Sequence, residues 1–149
     1  MSQIDVVREA RCNCGSVQLS FEGTPIASGY CHCQDCRTAR QSDAFDFVAW
    51  KPESQTISSG ADKVASHKFS ENMTVFFCGV CGSGLYHTNR LGVHSVSRSL
   101  FRHANEGSLS SDLEPQLHIH YGERVVDISD ALPKFKDLPE PFGGTGELA

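Results

Sequence analysis

The residues best suited to chemistry in this chain are its seven cysteines, and all of them fall into three tight groups. Cys12 and Cys14 form C-x-C, Cys31, Cys33 and Cys36 form C-x-C-x-x-C, and Cys78 and Cys81 form C-x-x-C. An odd count argues against a secreted disulfide framework, whereas grouping at such short spacing is the pattern of metal ligation. Neither common ferredoxin spacing is present, so zinc is the expected metal rather than an iron–sulfur cluster. Residues two apart on an extended segment point to the same side. Cys12 and Cys14 can therefore face one metal with Asn13 turned away, and Cys31 and Cys33 can do the same with His32 pointing off. Cys36 can return its sulfur after a turn. In Cys78-Gly79-Val80-Cys81-Gly82 the glycines permit the tight turn of a zinc knuckle.

Seven thiolates divide most simply into four and three. Cys12, Cys14, Cys78 and Cys81 would close a tetrahedral, structural site, while Cys31, Cys33 and Cys36 would leave one position of a second zinc open for catalysis. The alternative is that a histidine fills that position, His118 or His120, which share one face of an expected strand. Zinc with three thiolates carries +2 − 3 = −1, which makes it a poor generator of hydroxide and a better host for a soft substrate sulfur. A captured thiolate needs a neighbouring cation or donor. Arg37, directly after Cys36, is the candidate, against the plainer reading of a solvated arginine. His67, His87, His94 and His103 are expected to be surface or sheet residues, His32 to lie behind the ligands or on the surface, and Asp35 to be able to orient a neighbour.

These groups must be positioned by short strands. Alternation marks a strand over 17–21, and extended, strand-like runs mark others over 45–50 (stopped at Pro52), 64–69, 74–77, 92–96, 116–121 and 125–128, with 70–72 as a hairpin connection and a short helix within 98–109. The Pro- and Gly-rich segment from Pro133 onward is expected to be a surface strap or a frayed tail. With 149 residues, 39% of them apolar and 21% charged, the chain fits one globular domain, residues 1–149, with a core over about 10–135 and a tail over 136–149. Its 18 acidic against 13 basic residues give −5, which argues against a nucleic-acid partner. No apolar run is long enough for a membrane helix and residues 1–10 lack a leader's apolar core, so a cytoplasmic location is expected.

The chain resembles the glutathione-dependent formaldehyde-activating enzyme family, which includes centromere protein V-type domains. The resemblance is carried by Cys12-Asn13-Cys14-Gly15-Ser16-Val17, by Cys31-His32-Cys33-Gln34-Asp35-Cys36-Arg37, and by Phe77-Cys78-Gly79-Val80-Cys81-Gly82-Ser83-Gly84-Leu85-Tyr86, in that order. It implies a mainly β, zinc-stabilised β-tent of short antiparallel sheets with zinc knuckles. It also implies two zinc ions per chain, structural at Cys12, Cys14, Cys78 and Cys81 and catalytic at Cys31, Cys33 and Cys36. The implied activity is that of a carbon–sulfur lyase similar to S-(hydroxymethyl)glutathione synthase, with a small thiol such as glutathione and an aldehyde as partners. The alternative is a non-catalytic zinc module that mediates protein interaction. The chain departs from the family pattern at Arg40-Gln41-Ser42-Asp43, where a glycine is usual, at Ser97-Arg98-Ser99-Leu100, and at Val125-Val126, where a tryptophan is common.

Overall fold

Strand β4, Phe45–Trp50, divides the molecule because its two faces bury different things. Val48 and Trp50 point into one apolar cluster with Phe21, Leu85, Val96 and Phe101. Phe45, Phe47 and Ala49 point into a second, with Cys31, Cys36 and Met73. A strand buried on both sides reads as a continuous apolar run, as Phe47-Val48-Ala49-Trp50 does. The computed structural model describes residues 6–149. Residues 1–5, half of the segment expected to lack a leader's apolar core, lie outside them.

The elements follow in order as β1 (Val7–Arg11), β2 (Gln18–Glu22), β3 (Ala27–Cys31), helix α1 (Gln34–Ala39), β4, β5 (Gln55–Ser59), β6 (Val64–Ser70), β7 (Met73–Cys78), β8 (Gly84–Thr88), β9 (His94–Ser97), helix α2 (Arg98–Ala104) and β10 (Leu117–Ile119). They form a three-stranded sheet, β1-β2-β5, and a seven-stranded sheet, β10-β3-β4-β9-β8-β7-β6. Every pairing is antiparallel except that of β10 with β3. The fold is therefore mainly β, as expected. The rings of Phe21 and Trp50 stack at 4.8 Å and Phe101 of α2 packs on both, which fastens the small sheet and the helix to the large sheet.

Arg98, at the first turn of α2, is 1% exposed. Its guanidinium donates to the carbonyls of Leu113 (2.7 Å) and Phe47 (2.8 Å) and to Ser28 Oγ (2.7 Å), and it pairs with Asp46. A planar fork of five donors can serve several carbonyls at once, so one side chain ties α2 to β3, β4 and the turn at Leu113. Burial lowers its pKa to about 10, which leaves it charged at neutral pH.

One expectation needs correction, and the structure makes two others definite. Residues 125–128 are not a strand: the amide of Ile128 donates to Tyr121 Oη at 3.0 Å, and the Arg124–Asp127 pair bends the segment, so no ladder forms. The helix expected within 98–109 ends at Ala104, because Glu106 and Gly107 take left-handed φ values of 56° and 86° and the Gly107 amide caps the Arg102 carbonyl at 2.7 Å. The C-terminal segment is a strap rather than a frayed tail. Its backbone bonds run from Phe135 to His118, from Tyr121 to Phe135 and from Lys136 to Glu147, and Leu138 is buried. Among the described residues, no helix is long and apolar enough to cross a membrane.

Gly29 decides whether β10 can join the sheet. A Cβ at this position would stand 2.0 Å from the carbonyl oxygen of Leu117. Gly29→Ala is expected to push β10 off β3 and to cost about 1–3 kcal/mol, the usual range for overpacking, which urea unfolding of the two proteins will measure.

Candidate functional site

Two clusters of sulfurs form at the ends of strands. Cys12 and Cys14 follow β1, Cys78 ends β7 and Cys81 closes the turn into β8; their four sulfurs all lie within 4.8 Å of one another. Cys12 and Cys14 Sγ are 3.6 Å apart, and Cys14 and Cys78 Sγ 3.8 Å. A tetrahedron with metal–sulfur bonds of ~2.3 Å has edges of ~3.8 Å, so this donor set has the dimensions and chemistry for zinc. The amides of Val17 and Val80 donate to Cys12 and Cys78 Sγ at 3.4 Å, which favours thiolates. The four groups cannot all ionise easily by themselves. Burial pushes the Cys12 thiol up to about 11, whereas the Ser83 hydroxyl pulls Cys81 down to about 5.

Cys31, Cys33 and Cys36 form the second cluster, with Cys31 and Cys33 Sγ 3.4 Å apart. Helix α1 brings Cys36 back: Cys33 is its N-cap, and its sulfur accepts from the Cys36 amide at 3.3 Å, as a serine or aspartate oxygen would. Hydrogen bonds from Cys31 and Cys36 draw the Cys33 thiol down to about 2, and the contact with Cys33 pushes Cys31 up. One thiolate is comfortable here and three are not, so full deprotonation calls for a cation. Among the described residues, no fourth histidine, cysteine or carboxylate atom lies within 4.8 Å of all three sulfurs.

The histidines fall otherwise than their spacing suggested. His118 and His120 do not share a face, because His120 takes a left-handed φ of 52° that turns the chain off β10. His118 lies on the side of the sheet away from the sulfurs, fully buried, with Nε2 2.9 Å from Asp130 Oδ2 and Nδ1 2.9 Å from His32 Nε2. A carboxylate only accepts, so His118 Nε2 carries hydrogen and, in the neutral ring, Nδ1 accepts from His32. His32 thus points off the trio as expected but is a core residue; burial and His118 lower its pKa to about 4, which keeps it neutral. His120 does line the cavity beside the trio.

His87 is the residue that spacing missed. It is 1% exposed, and its Nε2 lies 3.9 Å from Cys36 Sγ. Its place follows from register, since the row Val75, His87, Ser95, Ala49, Ala27 crosses five strands on the cavity face. The cation behind the trio is Arg40 rather than Arg37. Cys36 and Arg40 are four apart on α1 and share its face, whereas Arg37 turns away to donate to the His32 carbonyl at 3.0 Å. That four-residue spacing was the available signal. Arg40 packs over the Phe45 ring and donates to His87 Nδ1 at 2.9 Å and to Ser97 Oγ at 2.6 Å. Gly84 leaves its guanidinium room, since a Cβ there would stand 3.2 Å from Arg40 Nη2. A guanidinium cannot accept, so His87 Nδ1 must, and the ring hydrogen sits on Nε2, facing Cys36. Burial and Arg40 push the His87 pKa down to about 3, so the ring stays neutral.

The trio borders a cavity of about 690 Å³ whose walls include Phe45, Phe47, Met73 and, from the strap, Leu138 and Phe142. The sequence pattern of the glutathione-dependent formaldehyde-activating enzymes matches residues 7–123, which span both cysteine clusters and this floor. The chain belongs to that family. A Rhodobacter sphaeroides protein of known crystal structure has the same fold, with a TM-score of 0.55 at 22% identity over 72% of this chain and 96% of that one. No curated protein matches the chain. Within this family member, two cysteine clusters can each hold a metal.

The Arg40–His87 contact is directly measurable. Long-range nitrogen–proton NMR is expected to show the His87 hydrogen on Nε2 in the parent protein and on both nitrogens in exchange in Arg40→Met. Arg40→Met is also expected to cost about 1–3 kcal/mol, because Ser97 and His87 lose their charged donor.

Proposed function

We propose that the chain is a zinc-dependent carbon–sulfur lyase acting on a thiol adduct, similar to S-(hydroxymethyl)glutathione synthase. Cys12, Cys14, Cys78 and Cys81 would hold a structural zinc, and Cys31, Cys33 and Cys36 a catalytic one, in a single domain. The observation that carries this reading is the three-sulfur cluster, without a fourth side-chain donor among the described residues, at the wall of a ligand-sized cavity. A closed, purely structural module has no need of either feature, so the cavity favours an enzyme over a protein-binding zinc module.

Zinc at the trio would supply a soft electrophilic centre that holds a substrate sulfur as thiolate. The rest of the chemistry falls to the protein. Joining a thiol to an aldehyde forms one carbon–sulfur bond and transfers the thiol proton to the former carbonyl oxygen; cleavage reverses both. His87, fixed by Arg40, holds its Nε2 hydrogen toward Cys36 at the cavity wall and would act as a hydrogen-bond donor to a sulfur or oxygen bound beside the trio. Phe45 and Phe47 exclude water on one side, and the strap residue Phe142 does so on the other.

Cys33→Ser is expected to lower zinc from about two to about one per chain, to keep cooperative melting, and to abolish thiol–aldehyde adduct exchange followed by proton NMR. Cys81→Ser is expected to abolish cooperative melting, because structural zinc contributes on the order of 10 kcal/mol, comparable to a domain's whole margin. A Cys33→Ser protein that keeps both metals and full exchange activity would overturn the assignment.

A further inference from the structure

Two polar residues stand side by side in an otherwise apolar row of the large sheet. Across β7, β8, β9, β4 and β3 the cavity face reads Val75, His87, Ser95, Ala49 and Ala27. We infer that Ser95 and His87 form the receiving site for the carbonyl oxygen of the aldehyde, with the serine hydroxyl as a second donor beside the His87 Nε2 hydrogen. This inference deepens the catalytic reading of the trio and rests on it.

The hydroxyl sets Ser95 apart. Its neighbour Val96 faces the core between the sheets, so Ser95 faces the cavity, and it is 7% exposed. Other hydroxyls of the same sheet are committed: Ser28 Oγ donates to the Leu113 carbonyl at 2.8 Å, and Ser97 Oγ accepts from Arg40 at 2.6 Å. Among the described residues the Ser95 hydroxyl makes no hydrogen bond, because the Arg40 contact goes to the Ser95 carbonyl, at 3.4 Å. A buried hydroxyl without a partner calls for one, and the open side of this one is the cavity.

Ser95 and His87 are directly opposite each other on β9 and β8, which puts their Cβ atoms ~5 Å apart. Arg40 fixes both from behind, since its Nη1 donates to His87 Nδ1 at 2.9 Å and to the Ser95 carbonyl. The ring hydrogen therefore stays on Nε2, which lies 3.9 Å from Cys36 Sγ. Two preset donors thus stand beside the trio, with Val75 and Ala49 on their flanks. Donors fixed in such an enclosure act most strongly on an oxygen that is gaining charge.

The chemistry uses such a pair. A thiolate sulfur that adds to an aldehyde forms the carbon–sulfur bond and moves the carbonyl π pair onto oxygen. That oxygen is one bond from the attacked carbon, so its donors must lie close to the sulfurs. It offers two lone pairs, of which His87 serves one and Ser95 the other. The oxygen then takes a proton from cavity water, which balances the proton the thiol gave up on binding. In the cleavage direction the adduct hydroxyl returns that proton, and the same two donors hold the oxygen while the carbon–sulfur bond breaks.

The test uses the full chain loaded with zinc and separates binding from turnover. Thioacetate is the probe, because its oxygen sits one bond from the carbon that bears sulfur; ethanethiol is the same frame without that oxygen. In calorimetric titrations Ser95→Ala is expected to weaken thioacetate at least about fivefold and to leave ethanethiol unchanged, and Ser95→Thr to restore thioacetate. In adduct exchange Ser95→Ala is expected to lower kcat about tenfold to hundredfold at an unchanged KM for the thiol. In the parent protein the His87 Nε2 proton resonance is expected to shift further with thioacetate than with ethanethiol, a readout that stands even if the variant does not fold. Equal loss or no loss of the two probes in Ser95→Ala, or the same His87 shift with both, overturns the inference whether or not exchange is catalysed. A selective loss of thioacetate binding with no catalysed exchange of any adduct upholds the oxygen site and overturns the lyase reading instead.

Discussion

Four cysteine sulfurs from distant parts of the chain converge within 4.8 Å, and that convergence sets the rest of the structure. It joins the end of β1, in the small sheet, to the β7–β8 turn of the large one. Burial raises the Cys12 thiol and the Ser83 hydroxyl lowers Cys81, so the four groups do not ionise together unaided, and their spacing could hold a metal. The Phe21–Trp50–Phe101 stack draws one ring from each sheet and one from α2, so apolar packing joins the same two sheets. The cysteine cluster and the core packing therefore meet at the same interface.

Strand β4 converts that interface into a site. Its even residues serve the core between the sheets, and its odd residues pave the cavity. Arg98 keeps this strand in place from beneath by binding the Phe47 carbonyl and Ser28, which also holds β3 and thus the first two cysteines of the trio. Where the chain departs from its family at Arg98, the departure is a buried structural tie, and where it departs at Arg40, it is a half-buried cation beside the trio.

The division of labour within the trio follows from α1. One turn of helix, capped by a cysteine sulfur, returns Cys36 to its partners and sets Arg40 directly behind them. Arg40 in turn fixes which nitrogen of His87 bears hydrogen, so the group facing the sulfurs is a donor throughout the neutral pH range. On the far face of the sheet, the His32–His118–Asp130 chain holds β10 against β3 with polar contacts that need no solvent.

How much of this was legible in the sequence depends on the range of the interaction. The cysteine spacings determined both clusters, because residues two or three apart on strands and knuckles have few ways to orient their sulfurs. Alternation likewise marked β2, and apolar, strand-like composition marked β4, β6 and β7, to within a residue or two. The strands β1, β3, β5 and β8 carry no clear alternation, since each is shaped by its neighbours more than by its own pattern. Residues 125–128 have strand-like composition, but their amides are drawn to Tyr121 and their side chains to Arg124. The sequence pointed to His118 as the histidine near the trio and to His87 as a surface or sheet residue, and the structure reverses the two. Only the pairing order of seven strands put one beside Cys36 and the other on the opposite face, since which side of a sheet a residue faces depends on register with strands remote in sequence.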